Sequence, residues 1–360
     1  MDFLTGKTWL KYGLVDFEAQ PYYLLDVLRT DGVYDTGWFE FDCQKISFLE
    51  LNHNVGETPL SVMVRVNGTD GANEGFIFSG GSGLTMTTGT LGSDYGGLLY
   101  GYNATTIRLW APSNLTHGGI INVQQGYGST DTQRSHSADV RVEVAAMAAA
   151  DYDSGWFEMG ASRPQRNLRH GLGDLTYGIV RVLVRVRSGE NEGFIFPGVG
   201  AAQNDDSGVD SYGGVVYAYN EEYVHLYAAN GSRGSIVHVG GAGWASGKHH
   251  QIDNVADVRV LVWSSDNLPA PIEFNWEAIA AYSNSYQDYE YMPWTSSYIQ
   301  QPYLTQLIVA EGYDTITAKA TGNIMTDIGA AQATNDHNQY HGGVIFGIGN
   351  IEYRAWSPGL

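Results

Sequence analysis

"SYGGVVYAYN", residues 211–220, is written almost unchanged twice more in the same chain, as "DYGGLLYGYN" at 94–103 and "YHGGVIFGIGN" at 340–350. Each copy is a Gly-Gly pair, a short apolar run and an Asn. Successive side chains of a strand point to opposite faces. Leu98, Tyr100 and Tyr102 therefore share one face, as do Val215, Tyr217 and Tyr219, and Val344, Phe346 and Ile348. The opposite face carries a small residue at the matched position of every copy: Gly101, Ala218 and Gly347. A strand centre without bulk admits close approach by another element. Asn103, Asn220 and Asn350 suit a turn, so each copy is expected to open a hairpin.

On the return strands Ile107/Leu109, Val224/Leu226 and Tyr353/Ala355 fall on one face, and Arg108/Trp110, His225/Tyr227 and Arg354/Trp356 on the other. A planar aromatic beside a cation or donor is what a sugar ring needs, since its C–H face stacks and its hydroxyls take hydrogen bonds. These six residues form the candidate glycan site. The competing reading is structural, with a Trp in the core and an Arg snorkelling from the sheet edge.

Outward from the hairpins, the chain repeats at longer range. "TGWFEF" (36–41) matches "SGWFEM" (154–159), "NEGFIF" (73–78) recurs at 191–196, and "ADVRVEV" (138–144) matches "ADVRVLV" (256–262), all 118 positions apart. About 100 residues suffice for a β-sandwich with its own core, whereas solenoid repeats run from about 20 to 50. The expected fold is all-β: tandem sandwich or jelly-roll-like units, repeat 1 over 31–147, repeat 2 over 148–265 and an altered repeat 3 over 266–360. The third copy stops after "YRAWSP" (353–358), without the "ADVRV" strand, and residues 1–30 read as the end of a preceding unit, with "YYLLDVLR" (22–29) in that strand's place. Three arrangements fit: a fragment of a longer array, closure within one chain, or strand donation between copies in a head-to-tail assembly.

Composition agrees with many tight turns and sheets: 46 Gly, 24 Tyr and 43% apolar residues in 360. The net charge of −20 disfavours nucleic acid and anionic membrane surfaces. No apolar run is long enough to span a membrane as a helix, and the start "MDFLTGKTWLKYG" lacks a signal-peptide layout, so a leader is either already removed or was never there. Four sequons, at Asn67, Asn103, Asn114 and Asn230, point to an extracellular glycoprotein. The single Cys43 forbids an intrachain disulfide.

Asn204, Asp205, Asp206 and Asp210 in "QNDDSGVDS" are candidate calcium ligands, although Asp, Asn and Gly are equally the residues of plain turns. His117, His136, His249 and His250 read as loop residues. The Tyr-rich segment 282–303 suits a contact surface or packing between units. No nucleophile, zinc or phosphate-binding motif is present, and no catalytic residue is assigned.

The order "GWFE", "LRHGLG" (168–173), "VRVLVRV" (180–186), "NEGFIF", "SYGGVVYAYN", "IRLWAP" and "ADVRV" resembles a tandem β-domain of large secreted proteins of aquatic invertebrates. The Gly-Trp start followed by "IVRVLVRV" is similar to H-type lectins over the first third of each unit, a likeness that implies a six-stranded sandwich and sugar binding. The expected function is extracellular and non-enzymatic, in adhesion or glycan recognition, with glycans or further copies of the chain as partners. The alternative is a glycosylated filament or matrix subunit joined by strand complementation, and a glycan-active enzyme comes third.

Overall fold

The computed structural model describes residues 8–14, 28–82, 95–123, 133–147, 149–176, 178–198, 212–241, 243–264, 273–279, 292–293, 306–314, 319–326, 345–348 and 352–356. Among these the chain is all-β, with two 3-10 turns, Gly71–Asn73 and Ala245–Gly247, and no α-helix. The expected hairpins are present: Leu99–Tyr102 with Thr106–Trp110, Val215–Tyr219 with Tyr223–Ala228, and Ile345–Ile348 with Glu352–Trp356.

Three large sheets hold these hairpins, and each takes strands from two of the sequence units. The nine-stranded sheet runs through Tyr152–Asp153, Val255–Trp263, Ile179–Arg185 and Ile195–Pro197 of the second unit into Leu99–Tyr102, Thr106–Trp110 and Phe48–Asn52 of the first. The seven-stranded sheet joins the second hairpin to Lys319–Thr326 and Gln306–Asp314 of the third unit. The eight-stranded sheet joins the third hairpin to Ile77–Ser79, Ser61–Asn67 and Ser137–Met147 of the first.

The three seams use matched positions: Tyr102 pairs with Ile195, Tyr219 with Ile324, and Ile348 with Ile77. Here the small residues find their reason. A Cβ on Gly101 would stand 2.4 Å from the Phe196 ring, and one on Gly347 2.9 Å from the Phe78 ring. The first and third hairpins thus dock their bare strand centres against an aromatic ring of the adjoining unit. Following the seams from first unit to second, second to third and third to first closes a cycle.

The cycle is completed by the N-terminal strand. Thr8–Leu14 lies between Glu273–Ile279 and Gln306–Asp314. Ser137–Met147 stands likewise between Phe39–Asp42 and Ser61–Asn67, and Val255–Trp263 between Phe157–Gly160 and Ile179–Arg185. The strand in this position is therefore 8–14 and not the expected 22–29, of which Leu28 and Arg29 pair instead with Met147 and Ala146.

Two apolar cores lie between the sheets. One gathers Val62, Val64, Val66, Leu98, Tyr100, Tyr102, Val140 and Val142, and the other Val180, Val182, Val184, Val215, Tyr217, Tyr219, Val258 and Val260. The alternation read from the hairpins thus holds: Ile107, Leu109, Val224 and Leu226 are all fully buried. Matching side-chain locks recur in the first and second units. Arg141 donates to both oxygens of Asp35 at 3.0 and 2.6 Å, and Arg259 to both of Asp153 at 2.9 and 2.6 Å. Tyr100 donates to the Val62 carbonyl and Tyr217 to that of Val180. Gln133 and Gln251 each accept the N–H of the buried Asn, Asn73 or Asn191, that opens "NEGFIF".

Candidate ligand groove between the first and second units

The face of the hairpins that was read as a glycan platform has different fates in the three copies. In the first, Trp110 is 0% exposed. Its ring meets Phe48 and Phe196 at centroid distances of 5.7 and 5.9 Å, and its Nε1 donates to the Lys248 carbonyl at 2.9 Å. A ring without accessible surface has no face for a sugar, so no site forms around Trp110. The cover is the second unit's segment 243–248. Ser113 donates its N–H to the Gly243 carbonyl, Ala245 to that of Ala111, and Tyr95 its hydroxyl to Gly243. Arg108 belongs to the same clamp: it donates to Glu50, to the Glu190 carbonyl and to Asn191, and its guanidinium stacks 4.2 Å from the Phe194 ring. His249, expected as a free loop residue, meets Glu190 at 3.0 Å in this seam.

In the second copy Tyr227 is 41% exposed, and His225 faces Asn167 at 3.0 Å and Asn220 at 3.2 Å. In the third, Arg354 and Trp356 lie on Glu352–Trp356 with backbones opposite Gly347 and Ile345. Their side chains lie outside the described residues. The six are thus not brought together as one kind of site. Asn204, Asp205, Asp206 and Asp210 also lie outside the described residues, as does the Tyr-rich segment apart from Met292 and Pro293. Among the described residues no cluster of three or more His, Cys, Asp or Glu is placed to hold a metal. Cys43 is buried and its thiol is pushed up to about 12 by burial, which makes it a poor nucleophile.

A groove of about 430 Å³ opens beside the first seam. Its floor is Trp156, half-buried, from the "SGWFEM" stretch. Arg185 lies 4.2 Å from the centre of that ring and Arg259 5.8 Å. One wall is the tip of the first hairpin, Asn103 to Thr105, another is Thr58–Leu60, and Glu192 adds a carboxylate. Strand alternation explains the grouping. Arg185 and Arg259 stand on neighbouring strands, Ile179–Arg185 and Val255–Trp263, facing away from the valines of the second core.

Each arginine is oriented by an aspartate. Arg185 donates to Asp257 at 2.8 Å and Arg259 forks onto Asp153, whose carboxyl is held below its ordinary range chiefly by that hydrogen bond. Such a fork fixes the guanidinium plane. Nη1 of Arg259, and Nε and Nη1 of Arg185, have no protein acceptor among the described residues, so donors remain for a ligand. With Arg185 over one face of the indole, the groove offers apolar contact from Trp156, oriented donors and one carboxylate, a set that suits contact and hydrogen bonding to a polyhydroxylated ring.

None of Trp156, Arg185, Arg259 or Glu192 was singled out by sequence reasoning. The signal was in the repeated "GWFE" and "ADVRV" strings, which count units without showing that two strands bring Trp and Arg together beside a neighbour's hairpin. No family model matches the chain, and neither a curated protein nor a solved structure is similar to it.

Proposed function

We propose that the protein is an extracellular carbohydrate-binding protein acting in adhesion or glycan recognition, by binding and not by catalysis, with the groove at Trp156 as its site. The observation that carries this reading is a half-buried indole on the groove floor, flanked by two guanidinium groups with unspent donors. The sequons support an extracellular setting.

The test is a glycan array probed with the full chain and with Trp156→Ala. The expected result is binding that weakens about tenfold in the variant, the equivalent of about 1.4 kcal/mol. Trp38→Ala alters the matched "GW" tryptophan of the first unit and is expected to leave binding unchanged. Absence of binding by the folded, unglycosylated chain, or binding indifferent to Trp156, overturns the reading.

A further inference from the structure

We propose that Asn103 carries an N-linked glycan and that the first sugars of this glycan lie in the groove over Trp156. The inference rests on the reading of the groove as a sugar site and assigns its resident occupant.

All three residues of the sequon Asn103-Ala104-Thr105 line the groove, and Ala104 and Thr105 are exposed. The Asn103 carboxamide is held by one end only. Its Oδ1 accepts from the backbone N–H and the hydroxyl of Thr105 at 2.9 and 3.2 Å, and from those of Thr106 at 2.8 and 3.1 Å. Its Nδ2 has no partner among the described residues, so the atom that a glycan would use is presented at the groove's wall.

The matched turn of the second unit makes the contrast. Asn220 also accepts at Oδ1, from the N–H groups of Glu222 and Tyr223. Its Nδ2, however, meets His225 at 3.2 Å and donates across the seam to Asn323 Oδ1 at 3.1 Å. Glu222 stands where a sequon needs Ser or Thr. Where the nitrogen ties the seam, the sequon is absent; where the sequon is present, the nitrogen is left over. The other sequon asparagines, Asn67, Asn114 and Asn230, do not line the groove.

In the modification, Asn103 Nδ2 attacks C1 of the reducing-end N-acetylhexosamine of a lipid-pyrophosphate-linked oligosaccharide. The C1–N bond forms, the C1–O bond to pyrophosphate breaks, Nδ2 loses one proton, and the lipid pyrophosphate departs. The donor and its transferase come from the secretory pathway. Once attached, an N-acetylhexosamine starts within the groove itself, and Trp156 offers it apolar contact beside the arginine donors at the effective concentration of a tethered ligand.

The experiment uses the full chain secreted from eukaryotic cells. Glycopeptide mass mapping reads Asn103 occupancy. Hydroxyl-radical footprinting reads Trp156, with Trp38 as internal reference, before and after native treatment with a peptide N-glycosidase, an amidase that releases the whole glycan, its first sugar included. Asn103 is expected to be occupied, and Trp156 reactivity to rise severalfold on glycan removal while Trp38 stays constant. Asn103→Gln is expected to match the treated protein, and native deglycosylation serves alone if that variant folds poorly. A bare Asn103, or a Trp156 equally reactive with and without the glycan, overturns the inference. An unglycosylated chain that binds free sugars through Trp156 while Asn103 is bare in the secreted protein sinks only this inference. A shielded Trp156 in a protein that captures no free sugar sinks only the binding function.

Discussion

The first and second hairpins share strand order, register and alternation, yet Trp110 is fully buried while the matched Tyr227 is 41% exposed. Over Trp110 lies the segment 243–248, bonded to it through the Lys248 carbonyl; no described segment makes matching bonds over Tyr227. The difference teaches that a strand's own pattern decides which way a side chain points, while a neighbour decides whether that face meets water. Aromatic identity follows the cover: an indole with one donor reaches a carbonyl of the clamp, and a tyrosine keeps its polar tip where the face is open.

The sharpest way to break this comparison is truncation of both residues. Trp110→Ala removes a fully buried indole and its bond to Lys248, and is expected to cost about 3–5 kcal/mol. Tyr227→Ala, at an exposed position, should stay within about 0.5 kcal/mol of the parent. Equilibrium denaturation of the two variants reads both values, and equal losses would mean that the cover over Trp110 is not formed.

A second difference between the units concerns acid. His238 stands where the first unit has Asn122, both buried. Asn122 donates to the Tyr95 carbonyl at 2.9 Å, whereas Nδ1 of His238 has no acceptor or donor, and His250 lies 5.7 Å away ring to ring. Burial, with a smaller contribution from His250, pushes the His238 imidazole down to about 4 from its usual 6.5. The unfolded chain therefore takes up a proton that the folded chain refuses. Stability should fall as pH drops from about 6.5 to about 4 and level off below, by about 3 kcal/mol in all. Denaturation midpoints across that window check it, and His238→Asn, which restores the first unit's residue, should flatten the profile. Asp253 nearby has its carboxyl raised by burial and works in the opposite direction, so the variant, and not the parent profile alone, isolates the histidine.

Third comes the bare strand centre. Gly101→Ala drives a methyl into the Phe196 ring and is expected to cost about 1–3 kcal/mol. Most of that loss should be recovered in the double variant with Phe196→Leu. Additive losses would show that the two residues do not meet across the seam.

Much of this was legible in the sequence. Gly-Gly, alternation and Asn mark the hairpins, and the small residue at each strand centre foretold a close approach, met by Phe196 and Phe78. What alternation cannot carry is the identity of the approaching element. The unit boundaries of the sequence are not the boundaries of the sheets, because Tyr102 and Ile195, 93 positions apart, are neighbours only once two units have docked. The same limit hid the groove: Trp156 and Arg259 sit 103 positions apart in sequence. Glu143 is 1% exposed, between Arg65 and Arg141, whereas the second unit places Leu261 and Leu183 at the matched positions. Burial raises the Glu143 carboxyl and the two guanidiniums oppose that rise, a balance set by neighbours that no local window contains.

The strand Thr8–Leu14 finds its second partner only at Gln306–Asp314. At a synthesis rate of about 5–20 residues per second, this strand waits roughly 15–60 s for Gln306–Asp314 to be made. During that interval an edge of Thr8–Leu14 stands without its partner, a template for any passing strand. The timing of translation is thus part of how this protein reaches its fold, and shielding of Thr8–Leu14 during synthesis is a requirement that the finished sheet no longer displays.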